Sequence, residues 1–101
     1  MVVAEISVVP LGTGSASVSE YVARAVEVLR RRGLKHQVTA MCTLVEGELE
    51  EVLEAVGEMH RAVLEAGAPR VVTTLKVDER RDRPLSLEGK VEAVRRRLEE
   101  R

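Results

Sequence analysis

The apolar period of this 101-residue chain switches between two and about 3.6 residues in a fixed order, and that order restricts the folds open to it. Residues 2–9 are mostly β-branched or small, with polar breaks at Glu5 and Ser7, which predicts a strand that Pro10 and Gly12 end. Val18, Val22, Ala25, Val26 and Leu29 then recur at helical spacing. Ser17 or Ser19 is placed to cap that helix, and Arg30, Arg31 and Arg32 followed by Gly33 are placed to close it. From Leu34 to Glu46 the period returns to two with a break near Ala40-Met41-Cys42. This is either a hairpin of strands around residues 36–40 and 43–46 or one long strand. A second helix is expected over about residues 48–66, with Leu49, Val52, Leu53, Val56, Met59 and Val63 on one side and Gly67 and Pro69 as its stop. A strand over residues 71–77 and a charged loop over 78–84 follow. A third helix carries Leu87, Val91, Val94 and Leu98 on one stripe, the pattern of a packing helix with a charged outer surface.

Strand, helix, two strands, helix, strand is the split arrangement in which right-handed crossovers put both main helices on one sheet face. The expectation is one α+β domain over residues 1–101: a ferredoxin-like βαββαβ sandwich with an antiparallel sheet and an extra C-terminal helix. Its other sheet face must then meet solvent or a partner. If Val2, Ala4, Ile6 and Val8 point to the helices, Val3, Glu5, Ser7 and Val9 point away. Likewise Val71, Thr73, Leu75 and Val77 point in, while Val72, Thr74, Lys76 and Asp78 point out. Gln37, Thr39 and Met41 are expected on the open side. That mixed surface suits self-association and ligand binding equally, and the two coincide where a pocket lies between subunits.

Composition removes several function classes. The chain carries 16 Lys and Arg against 17 Asp and Glu, so it has no long-range field to draw it to nucleic acid or an anionic membrane. Tyr21 is its one aromatic, which leaves no platform for stacking bases. No apolar stretch reaches the roughly 20 residues of a spanning helix, and no secretory signal pattern opens the sequence. One cysteine, Cys42, cannot form an intramolecular disulfide, and two distant histidines make no zinc site. A cytoplasmic protein without cofactor or metal is the expectation. A chain of this size has a thin core margin, which association with copies of itself would widen.

Catalytic chemistry has little to work with. Gly12-Thr13-Gly14-Ser15 precedes a helix and has free backbone donors for an anion. It lacks the Lys of a P-loop, the third Gly of a dinucleotide fingerprint and the Arg a phosphatase loop would use; an ordinary strand-to-helix turn is the simpler account. Cys42 has no neighbouring base or cation in sequence, and His36 and His60 read as surface or half-buried residues. Glu5 and Lys76 face each other if the first and last strands are neighbours, either as a cross-strand ion pair or as a pair orienting a small polar ligand. The run from Glu79 to Arg83 reads most simply as a solvated loop of alternating charge, from which Arg80 or Arg81 could reach a phosphate or a subunit partner.

Taken together, Val9-Pro10-Leu11-Gly12-Thr13-Gly14-Ser15, Ser19-x-Tyr21-Val22, Met41-x-Thr43-Leu44-x-Glu46, Ala62-Val63-Leu64-x-Ala66-Gly67 and Arg70-Val71-x-Thr73-Thr74-Leu75-Lys76-x-Asp78-x-Arg80-x-Asp82 resemble the small thiamine-binding (YkoF-related) protein family over nearly the whole chain. The resemblance implies a ferredoxin-like fold, dimers that pair into a tetramer, and non-catalytic binding of thiamine or its hydroxymethylpyrimidine portion. An aminopyrimidine places a donor beside an acceptor, which Glu5, Glu46, Thr43 or Thr74 can meet. A phosphorylated form suits the loop around Thr13 and Ser15, or Lys76. With one aromatic in the chain, a flat cation must be held mainly by hydrogen bonds, charge and contacts such as Met41. The expected site is Glu5, Thr13, Ser15, Met41, Thr43, Thr74 and Lys76, with Glu46 and Arg80 behind them, at subunit contacts; the alternative is a homo-oligomeric assembly protein with no small ligand.

Overall fold

In the computed structural model, which describes residues 1–101, the elements follow in the order β1 (Val2–Leu11), α1 (Ser19–Arg32), β2 (Lys35–Val38), β3 (Thr43–Gly47), α2 (Leu49–Glu65), β4 (Arg70–Asp78) and α3 (Leu87–Glu99). The sheet order is β2-β3-β1-β4 with every neighbour antiparallel, which is the ferredoxin-like α+β arrangement. The break near residue 40 is a hairpin, because the Thr39 N–H donates to the Cys42 carbonyl at 2.9 Å and leaves only Ala40 and Met41 in the turn. Met41 is therefore not a strand residue on the open face as expected; it sits at a turn tip and is 88% exposed.

α1 and α2 pack on each other and on one side of the sheet. Val2, Ala4, Ile6 and Val8 alternate into the layer between them, meeting Ala25, Val28 and Leu29 of α1 and Val52, Ala55, Met59 and Val63 of α2. Valines and alanines make up most of this core with Ile6, Leu29, Leu34 and Met59, and Tyr21, the one aromatic, packs at its margin. On β4 the alternation holds for Val71, Thr73 and Leu75 and fades at Val77, which is exposed at the strand end.

The helix ends show which local signals decided the chain's path. Gly33 takes a left-handed conformation after α1 (φ 70°), its N–H donating to the Arg30 carbonyl at 3.2 Å, while the Leu34 N–H reaches Leu29 and the Leu34 side chain is buried. Arg31 and Arg32 then clamp α1 to α2 through Glu58, at 2.7 and 2.8 Å. At the other end of α1 neither Ser17 nor Ser19 supplies a cap; Val18 occupies that position without a side-chain bond. The loop hydroxyls are spent locally instead: Thr13 Oγ1 donates to the Ser15 carbonyl at 3.1 Å and the Ser17 N–H donates to Ser15 Oγ at 3.1 Å.

α3 does not pack as a third core helix. Its first turn crosses the open sheet face at the row Lys35, Glu46, Val3, Asp78, where Val3 and Leu87 are both buried. Ser86 caps it by accepting from the Gly89 N–H at 2.9 Å, and Glu46 Oε1 accepts from the Leu87 N–H at 3.0 Å. Lys35 pairs with Glu88, and Lys90 with Asp78. Beyond this anchor Val91, Val94 and Leu98 are 59–63% exposed, so the stripe expected to pack has no partner within the chain. The radius of gyration of 15.2 Å exceeds the roughly 13 Å of a compact chain of this length because of that projection. No helix is long and apolar enough to cross a membrane.

Candidate ligand-binding site

β1 and β3 part company at Ile6. The ladder between them ends with Ile6 opposite Thr43, whereas β1 and β4 stay paired through Leu11. On the β3 side, residues 7–10 of β1 consequently form an edge with no strand partner, and its backbone groups are open to a ligand. Pro10 fits such an edge, since a proline inside a strand is tolerated where its nitrogen faces no ladder.

That edge, the first half of α1 and the β2–β3 turn enclose a cavity of about 220 Å3. Val22, Ala25 and Val26 come from α1 and Val18 from its N-cap; Val38, Thr39, Ala40, Met41, Cys42 and Thr43 come from the hairpin; Ile6, Met59 and residues 7–10 complete the wall. Twelve of the sixteen lining residues are hydrophobic, and none is an acid, a histidine or a basic residue. Thr43 is the deepest polar group. Its residue is only 6% exposed, its hydroxyl has no partner in the protein, and it is not sealed from solvent, so it opens into the cavity. Thr39 is fixed differently: its hydroxyl donates to the Cys42 carbonyl at 2.8 Å and accepts from the Cys42 N–H at 3.2 Å, which locks the turn. The chemistry on offer is an apolar slot with one free hydroxyl and a free strand edge, a combination suited to a flat heterocycle carrying adjacent donors and acceptors.

The residues expected to make one site fall in several places. Thr43 and Met41 meet in the cavity. Glu5, Thr74 and Lys76 lie on the opposite face of the sheet, Glu5 directly across from Lys76 and Thr74 across from Ser7; the Glu5–Lys76 register is as expected, but no ion pair closes between them. Thr13 and Ser15 are engaged with each other in the loop before α1. Glu46, with its side chain 12% exposed, is taken up by α3. Arg80 grips the Asp82 carboxylate with two nitrogens, which raises its own pKa and holds the Asp82 carboxyl below the usual carboxylate range. Arg80 also borders a broad, open, basic groove beside α3 with Arg83, Lys90 and Arg96. Sequence reasoning placed Val22, Ala25, Val26 and Met59 in the core and left the edge of residues 7–10 unread; Pro10 inside a strand was the one signal for that edge. His60, half-buried on α2, bonds Thr73 Oγ1 through Nδ1 at 2.6 Å and takes no part in the cavity.

The model of the family described as thiamine-binding protein matches residues 4–95. The chain belongs to this family. A UPF0045 protein of Methanothermobacter thermautotrophicus is 50% identical over 97% of this chain and 100% of its own length. Among solved structures, a Methanocaldococcus jannaschii hypothetical protein superposes with a TM-score of 0.86 at 48% identity, covering 92% of this chain and 94% of that one. A Thermotoga maritima protein suggested to act in thiamine biosynthesis or salvage superposes with a TM-score of 0.79 at 33% identity, over 92% of this chain and 97% of that one. Membership of a thiamine-binding family and an apolar cavity with a free polar edge both point to a small-molecule ligand.

Proposed function

We propose that this protein binds thiamine, or its hydroxymethylpyrimidine portion, without catalysis, in the cavity between the free edge of β1, α1 and the β2–β3 turn. The observation that carries this reading is Thr43, a residue 6% exposed whose hydroxyl has no partner in the protein, beside backbone groups of residues 7–10 that no strand uses on the β3 side. An aminopyrimidine edge alternates donor and acceptor, as a strand edge does, and its flat ring fits between aliphatic walls. The thiazolium of thiamine carries a charge that is costly to bury, so it stays at the mouth beside exposed Met41 while the pyrimidine enters. The lining supplies contacts rather than an acid–base pair, which suits a carrier or sensor more than an enzyme.

Isothermal titration with thiamine and with hydroxymethylpyrimidine tests this. Binding of either is expected, with Thr43→Val raising Kd by about 5- to 30-fold, the equivalent of a lost hydrogen bond of about 1–2 kcal/mol. No heat with either compound at millimolar concentration would sink the reading.

Self-association in a cytoplasmic setting accompanies it. The unpartnered stripe of α3 and exposed Val9 and Val72 on the open sheet face give a second copy apolar surface to cover, and two such contacts build a dimer of dimers. This supports the second reading as well, a homo-oligomeric assembly protein with no small ligand. Leu98→Glu is expected to lower the particle mass measured by light scattering; under the second reading that shift occurs while no metabolite raises the melting temperature.

A further inference from the structure

Cys42 is the one thiol of the chain, and it lines the cavity. Its backbone is held by the Thr39 hydroxyl at both the N–H and the carbonyl, and Thr39 Oγ1 lies 3.4 Å from the half-buried Sγ. The adjoining Thr43, a residue 6% exposed whose hydroxyl has no partner in the protein, independently marks the space in front of that wall as ligand volume. We propose that Cys42 makes this cavity thiol-sensitive: exchange with a small disulfide attaches a substituent where the ligand binds, so modification and occupancy exclude each other.

The step needs only a low-molecular-weight disulfide, RS–SR. The Cys42 Sγ–H loses its proton to solvent, and Sγ attacks one sulfur of the disulfide. The S–S bond of the reagent breaks, and the departing RS⁻ takes up a proton. The sum is Cys42–SH plus RS–SR giving Cys42–S–SR plus RSH, and a reducing thiol reverses it. A second thiol within the chain cannot resolve the adduct by intramolecular exchange, so the mixed disulfide persists until an external thiol removes it. In a cavity of about 220 Å3, a substituent on Cys42 competes with a heterocycle for the same space. The sensitivity to modification follows from the place of the thiol alone, while the exclusion of thiamine rests on the functional reading above.

The experiment follows the release of the coloured thiolate from an aromatic disulfide reagent mixed with the native protein, alone, with saturating thiamine, and in two cavity-filled variants, Val22→Trp and Val18→Phe, each checked for a native melting transition. Filling is expected to slow the reaction by about tenfold, as restricted access does for a wall thiol. Saturating thiamine is expected to slow it comparably. The cysteamine mixed disulfide, made with cystamine, is expected to bind thiamine at least about tenfold more weakly, a change of about 1.4 kcal/mol, with full recovery after reduction. Thiamine binding by Cys42→Ser is expected to be the same before and after cystamine treatment. If both filled variants fold and react as fast as the native protein, or if the cysteamine adduct binds thiamine with unchanged Kd, the proposal is overturned. If filling protects the thiol while unmodified protein gives no thiamine signal, the ligand reading falls and the place of the thiol in the cavity stands.

Discussion

Replacing Glu46 by Ala is expected to loosen α3 and to leave ligand affinity unchanged. The Glu46 carboxylate, nearly buried, accepts the Leu87 N–H at 3.0 Å and lies 3.9 Å from the Lys35 ammonium, so it serves the first turn of α3 with both a hydrogen bond and a negative charge at the positive end of the helix. A hydrogen bond to a charged acceptor contributes about 1.5–3 kcal/mol, and a value of about 2 kcal/mol suits a half-buried N–H that water can partly reach once the carboxylate is gone. In the equilibrium between docked and undocked α3 this amounts to about a 30-fold shift. Hydrogen exchange reads it directly at the amides of Lys90 and Val91, Lys90 making the first helical bond to the Ser86 carbonyl at 3.2 Å. Glu46→Gln keeps an acceptor but loses the charge, and neutral bonds are about half as strong, so roughly a fivefold acceleration is expected. Unchanged exchange in both variants would refute the capping argument. A weakened thiamine Kd in Glu46→Ala with unaltered α3 exchange would return Glu46 to the ligand.

Three further outcomes follow from the same geometry. Ile6→Ala removes a fully buried side chain under both helices and should cost about 2–5 kcal/mol in urea unfolding; a loss under about 1 kcal/mol would mean the core closes over the gap. Glu58 is held below its ordinary pKa by hydrogen bonds from Arg31 and then Arg32, so its clamp on α1 stabilises fully above the unfolded carboxylate value of about 4.3 and is lost as pH falls through the lower folded value. The stability gap between wild type and Glu58→Gln should thus shrink on acidification, and a gap constant with pH would disprove the assignment. Gly12, at φ 74°, has Pro69 Cγ 3.1 Å from where a Cβ would stand, so Gly12→Ala should destabilise by about 1–2 kcal/mol in thermal melts, whereas a neutral result would show that the loop re-forms.

How far the sequence carried can be judged from single residues. Val2, Ala4, Ile6 and Val8 announced their inward face through alternation, and Gly33 announced the end of α1, because both signals act over a few neighbouring residues. Ser17 and Ser19 carried an equally local capping signal that failed: the hydroxyl of Ser15 bonded the Ser17 N–H within the loop. The Glu5–Lys76 register was legible from topology, but the relation of Glu5 to Thr43 was not, since neighbouring residues of one sheet serve opposite faces.

Element order, the inward strand faces and the family resemblance were therefore determined by the sequence on its own. Where β3 stops against β1, which chain segments wall the resulting cavity, and which group Glu46 serves were decided by the tertiary structure. The physical reason is separation along the chain. Periodicity and turn chemistry are set within a few residues, whereas a strand edge left bare at residues 7–10, Cys42 brought to the same cavity as Val22, or a carboxylate capping a helix 41 residues away depends on how distant segments come to pair.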